Sequence, residues 1–212
     1  MTQASFLPAS AAHRLPDHTE TLRQFNELRP WGGFNIIMVD PPWRFDTWSS
    51  KGHDKSPQAQ YECHGPDWIK ALPIEALAAD HAILWLWATG PLLPLALECV
   101  TAWGFTFKTM GWWSKKTSTG KQAFGTGYIL RNAGEPFLIG TKGSPKTVRN
   151  IRATIEAPVR RHSQKPDLAF DEAGRMLSHD IPRRIEVFSR TSRPGWAHWG
   201  DQVDSIPIEV TP

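Results

Sequence analysis

FNIIMVDPPWRF, residues 34–45, runs from an apolar segment straight into an acid, two prolines and a tryptophan. Residues 34–39 read as a strand. Consecutive prolines lack the N–H donors a ladder needs and fix φ, so the strand must stop there. Asp40 therefore stands at the carboxyl end of a strand, on a rigid corner rich in carbonyl acceptors.

Working outward, residues 82–88 (AILWLWA) are apolar on both faces, the pattern of a strand in a sheet covered on two sides. Residues 105–113, 135–140 and 184–188 are further strand candidates. Helical patterns occupy residues 66–79, 165–177 and a segment opened by Thr89-Gly90-Pro91 that reaches Trp103. Strands alternating with helices predict an α/β domain with a doubly wound, mostly parallel sheet. Ligands of such sheets sit outside the carboxyl ends of the strands, the address of Asp40-Pro41-Pro42-Trp43. Residues 46–60 are polar and read as a lid-like loop beside that corner, and residues 116–127 as a glycine-rich loop. Residues 1–30 read as a flexible arm with one helical turn around residues 22–28, followed by a single domain over 31–212.

Composition narrows the function classes. The 212 residues carry 24 Lys and Arg against 21 Asp and Glu, a net charge of +3, and the pI is near 9.0. That balance permits a polyanionic partner. The two cysteines, Cys63 and Cys99, lack the spacing of a disulfide framework or zinc site, so neither is expected. With no signal-peptide pattern and no apolar run long enough for a bilayer, a cytoplasmic protein without membrane partners is expected. A Rossmann dinucleotide fingerprint, a Walker loop and a GxSxG elbow are all missing, which removes dehydrogenase, kinase and serine-hydrolase readings.

The corner suits a different chemistry. An exocyclic aromatic amine is a poor nucleophile because its lone pair is delocalised into the ring. Two acceptors aimed at its N–H groups, the Asp40 carboxylate and the Pro41 carbonyl, would orient it and enrich its nitrogen for attack on a methyl donor. Trp43 would hold the base by stacking, worth about 1–3 kcal/mol. No metal is needed. Residues 142–165 supply a partner signal, with Lys142, Lys146, Arg149, Arg152, Arg160, Arg161 and Lys165 against the single acid Glu156. Arg149, Arg152, Arg160 and Arg161 read as phosphate contacts. Trp85, Trp87 and Trp103 sit on apolar elements and read as core, while Trp112 and Trp113 suit either role. His162 suits either a site residue or a solvated histidine.

The ordered set Asp40-Pro41-Pro42-Trp43, Leu86-Trp87-Ala88-Thr89-Gly90, Trp113-Ser114-Lys115, Glu135, His162-Ser163-Gln164-Lys165-Pro166-Asp167, Arg184-Ile185-Glu186-Val187-Phe188 and Trp199-Gly200 resembles a known family. It is that of the adenine-N6 methyltransferases with a DPPW motif, which includes the catalytic subunit of the eukaryotic mRNA adenosine methyltransferase. The resemblance covers about residues 34–203. It implies a Rossmann-like fold, S-adenosylmethionine as methyl donor and a nucleic-acid substrate. It places Asp40 against both target amine and donor, and Lys165 and Arg190 on the donor's polar groups. Asp201 and Gln202 fall where the family usually has Asn-Glu or Asn-Gln against the donor's adenosine, the aspartate being a departure. Tyr61, His162 and Ser163 are assigned to the substrate side, although the stretch around Tyr61 also departs from the family pattern. DNA is preferred over RNA because the finger-like RNA-binding modules of the mRNA enzymes are missing. A non-catalytic nucleic-acid-binding subunit is the rival from another class, and the intact corner and Lys165 argue against it.

Overall fold

The computed structural model describes residues 16–43, 65–125, 127, 129–160, 164–178, 182–200 and 203. Seven strands form one sheet: β1 (Phe34–Val39), β2 (Ala78–Trp87), β3 (Thr106–Lys116), β4 (Gly134–Lys142), β5 (Thr154–Pro158), β6 (Arg184–Val187) and β7 (Ala197–Trp199). Their order is β5-β3-β4-β2-β1-β6-β7. The β1–β2, β1–β6, β6–β7 and β3–β5 pairs are parallel, and β4 alone runs antiparallel to both its neighbours, β2 and β3. The doubly wound, mostly parallel α/β expectation holds.

The two-sided apolarity of β1 and β2 is explained by two cores on opposite faces. Ile37, Val39, Leu84 and Leu86 face one core with Phe25 of α1 (Thr19–Leu28), Ile69 of α2 (Pro66–Lys70) and Val100 of α3 (Leu93–Ala102). Ile36, Met38, Ile83, Trp85 and Trp87 face the other, closed by Ala169, Phe170 and Ala173 of α4 (Asp167–Arg175). The period of two thus sends alternate residues to opposite layers, and residues 36–39 and 82–87 are accordingly apolar throughout. Trp85, Trp87 and Trp103 are buried as expected, and Trp113 joins the second core while Trp112 stays exposed.

Four local expectations change. The helix expected over residues 66–79 stops at Lys70, is followed by a 3-10 turn at Ile74–Leu77, and gives way to β2 at Ala78, because Pro73 cannot continue a helical ladder. The helical turn expected around 22–28 is a ten-residue helix, and its Phe25 is buried edge-on against Trp199, so this part of the segment read as a flexible arm is anchored. Strand β5 runs through the basic segment, where no strand was expected, alternating exposed and buried residues, and β7 was not expected at all. At the entry to β1, Gly33 has φ +72, and a Cβ there would lie 2.6 Å from the Ala78 backbone, so only glycine fits this turn.

Candidate active site

The site begins where β1 ends. The Asp40 N–H donates to the Val187 carbonyl at 3.3 Å, so the chain leaves β1 still tied to β6. Pro41 and Pro42 are buried, and the Pro41 carbonyl accepts the Trp43 N–H at 2.8 Å. A carbonyl has two lone pairs, so one acceptor position beyond this bond fits the expected role. Trp43 corrects its expectation. It is 4% exposed, packs in the first core, and donates its indole N–H to the Trp87 carbonyl at 3.2 Å. A buried indole needs a partner for its N–H, and the end of β2 provides one; the ring is an anchor for the corner rather than an open stacking face. Trp43→Ala is expected to cost about 3–5 kcal/mol of stability and Trp43→Phe about 1–3 kcal/mol, the latter isolating the lost hydrogen bond; urea unfolding measures both.

Lys165, immediately before α4, closes the other side. It is 8% exposed, and its ammonium donates to Asp40 Oδ2 at 2.7 Å across 125 positions of sequence. It also lies 3.4 Å from Glu135 Oε2 and 5.4 Å from the centroid of the Trp87 ring. Glu135 in turn accepts from Lys115 at 2.5 Å. Burial pushes the Glu135 carboxyl up, but Lys165 and Lys115 more than offset this and hold it below its ordinary value. The ammonium is therefore fixed between two carboxylates over an aromatic face.

An open cleft of about 290 Å³ lies at these strand ends, lined by Asp40, Lys165, Glu186, Arg190, Thr191 and Arg193 among others. Arg190 thus lines the same cleft as Asp40 and Lys165. Its loop follows Phe188, the one non-glycine residue among those described with a left-handed backbone, φ 66. Such strain persists only where surrounding structure holds it, and here it turns residues 189–193 across the cleft. Glu186 was not anticipated as a site residue. Burial pushes its carboxyl up to about 7, against the opposing effects of the Ser189 hydroxyl and Arg193.

The basic segment divides. Arg149 and Arg152 are exposed, as phosphate contacts should be. Arg160 is corrected: its side chain is only 15% exposed and pairs with Asp167 at 2.6 Å, an acid that Arg193 also binds. Lys142 pairs with Glu75 at 2.9 Å. Tyr61, Arg161, His162, Ser163, Asp201 and Gln202, and the lid expected over 46–60, lie outside the described residues.

A doubly wound α/β domain with its polar cleft at the strand ends is a Rossmann-like methyltransferase fold. Residues 34–202 match the MT-A70 family, and the chain belongs to it. It is similar to an MT-A70-like N(6)-adenosine-methyltransferase of Arabidopsis thaliana, 31% identical over 84% of this chain and 25% of the relative. Similarity to the human N(6)-adenosine-methyltransferase catalytic subunit METTL3 is 30% over 84% of this chain and 29% of that protein. The type II methyltransferase M.MunI of Mycoplasma sp is 26% identical over 84% of this chain and 81% of its own length. The chain thus spans about a quarter of the plant and human relatives and most of the Mycoplasma one.

Proposed function

We propose that this chain transfers the methyl group of S-adenosylmethionine to the exocyclic N6 of adenine in DNA. The observation that carries the reading is the Asp40–Lys165 contact at 2.7 Å, which unites the acceptor corner and the lysine expected on the donor in one cleft. The cleft's chemistry fits such a donor, whose tail carries a carboxylate and an ammonium, because cationic and anionic side chains line it together. Lys165 and Arg190 would hold the donor's carboxylate and hydroxyls, with Asp201 and Gln202 assigned to its adenosine by family resemblance. When bound, the donor supplies a methyl group activated on a sulfonium.

The protein's own part is orientation. Asp40 Oδ2 is engaged by Lys165, leaving Oδ1 and the Pro41 carbonyl to accept the two N–H groups of the amine. Accepting both hydrogens enriches the nitrogen and aims it, and fixing Asp40 by Lys165 removes the entropy of positioning it. The target base must be unstacked to reach this corner.

Similarity extending over 81% of M.MunI supports DNA as the polymer. Adenine in RNA is the second reading, supported by the slightly higher identity to the adenosine methyltransferases. Incubating the protein with isotopically labelled donor and separate DNA and RNA pools, then identifying the nucleoside by mass spectrometry, tests both. Labelled N6-methyladenine only in RNA would overturn the first choice, and label in neither would overturn the activity.

Lys146, Arg149 and Arg152 are exposed on the segment leading into β5 and are proposed to contact phosphates. Replacing all three with Gln is expected to weaken nucleic-acid binding and reduce the salt slope by about 0.7–0.9 per lost contact. Donor affinity should stay unchanged. Fluorescence anisotropy over a salt series reads this out, and an unchanged slope would mark the patch as a solvated face.

A further inference from the structure

We infer that the outer face of β3 is a stacking track for unpaired bases of the nucleic-acid strand, an assignment that rests on the nucleic-acid reading above. The track consists of Phe107, Met110 and Trp112, which are 42%, 43% and 38% exposed. Register puts them on one face. They pair with Gly140, Leu138 and Pro136, alternate residues of β4, and the bulge between Phe107 and Thr109 brings Phe107 round to the side of Met110. That is the side on which Leu138 enters the first core. The core takes no residue from Thr106–Lys116, so this face of β3 is left uncovered by the described residues.

Apolar side chains exposed in a row mark an interaction surface, and charge decides its partner. From Thr106 to Gly134 the sequence holds five cations, Lys108, Lys115, Lys116, Lys121 and Arg131, and no Asp or Glu. Lys115 pairs with Glu135 and Lys116 with Glu156, while Lys108, Lys121 and Arg131 form no ion pair with any described residue. A second copy docked about a two-fold axis would set this positive surface against itself, which opposes association. A polyanion carrying flat rings satisfies both features: the cations take phosphates, and Phe107 and Trp112 take bases.

The track is continuous with the rest of the proposed path. The Trp112 N–H donates to the Ala153 carbonyl at 2.7 Å, so the exposed Arg152, next in the chain, stands beside it. Strand β3 points the same way as β1, and at its far end Lys115 binds Glu135, which meets Lys165 beside Asp40. A strand laid along β3 therefore runs from the phosphate-binding segment toward the cleft. Bases of an intact duplex stack on one another, so only an unpaired stretch can use the track, in keeping with a target base that must leave its stack.

Fluorescence anisotropy tests this with three labelled oligonucleotides of equal length: a thymidine-only single strand, an abasic single strand and a duplex. None but the first can stack on the track. The wild-type protein is expected to bind the thymidine strand more tightly than the abasic one. Trp112→Ala is expected to weaken the thymidine strand by about five- to 150-fold, the worth of one base stack, with an unchanged salt slope. It should leave the abasic strand and the duplex unaffected, and Trp112→Phe, which keeps a ring, should restore most of the affinity. Equal wild-type affinity for the thymidine and abasic strands, or unchanged thymidine binding in Trp112→Ala, overturns the track and leaves the phosphate contacts standing. Parallel weakening of the abasic strand also overturns it, since that marks a disturbed fold. A wild-type dimer in light scattering that Trp112→Ala splits into monomers overturns it in favour of a second copy on this face. If the wild-type protein binds none of the three, the nucleic-acid reading itself fails and takes this assignment with it.

Discussion

Asp40→Ala is expected to lower the rate of methyl transfer by at least about 10²–10³-fold in a protein that remains folded. One oriented hydrogen-bonding group at a reacting centre is worth about that much, and Asp40 is the only charged member of the corner. Its side chain is 23% exposed and sits outside both apolar cores, so truncation opens no core cavity. Lys165 keeps Glu135 as a partner at 3.4 Å, which limits the structural cost to about 1–3 kcal/mol. Asp40→Asn refines the test. The amide retains an oxygen for the amine but loses the charge that holds Lys165, so its rate should fall between wild type and alanine. Single-turnover transfer with labelled donor gives the rates and urea unfolding gives the stabilities. A near-wild-type rate in folded Asp40→Ala would remove the acceptor mechanism while leaving the fold and family untouched.

That Asp40 could be found from sequence follows from the physics of its surroundings. An apolar run ending in two prolines fixes a strand end, and a strand end in a two-faced α/β sheet is a ligand address. The two-sided apolarity of residues 82–88, with Ile83 and Trp85 on one face and Leu84 and Leu86 on the other, made the two cores legible in the same way. Trp43 was misread because an indole's flat face says nothing about which way it points; its N–H found the Trp87 carbonyl, a contact between residues 44 apart. Glu186 was invisible for a related reason. An acid in RIEV reads as the solvated side of a strand, and only its register against β1 reveals that this side opens into the cleft.

Charge runs failed selectively. Arg149, Arg152 and Arg160 are equivalent letters in a basic stretch, yet Arg160 is consumed by Asp167 together with Arg193. Those three groups join the end of the basic segment, the first turn of α4 and the loop after β6, so the pairing is a property of the folded chain and not of the local sequence. Strand β5 escaped detection because its only inward residues are Ile155 and Ala157, too few to outweigh the surrounding charge and prolines. Its parallel pairing with β3 supplies the order that the local sequence lacks.

Lys165→Ala is expected to weaken the methyl donor by about ten- to 150-fold, the range for a charge-assisted hydrogen bond. It is also expected to destabilise the fold by about 3–5 kcal/mol, because it leaves the carboxylates of Asp40 and Glu135 facing each other without their shared ammonium. The pH dependence identifies that second effect. In the wild type the net depression of Glu135 below its ordinary value supplies stability above that value, and it is lost as pH falls through the lowered one. Without Lys165 the desolvation of Glu135 is less opposed, so the variant's deficit should be largest above the ordinary carboxylate range and shrink as pH falls through and below it. The donor effect needs a different control, since a displaced Asp40 could lower affinity indirectly. Titrating wild type and Lys165→Ala with S-adenosylmethionine and with its decarboxylated analogue closes a double cycle. Coupling means that the ammonium meets the donor's carboxylate, turning from Asp40 when the donor enters. Additive losses mean that the two never meet; Lys165 is then a positioning residue for Asp40, the defect appears in the transfer rate at saturating donor, and the carboxylate falls to Arg190.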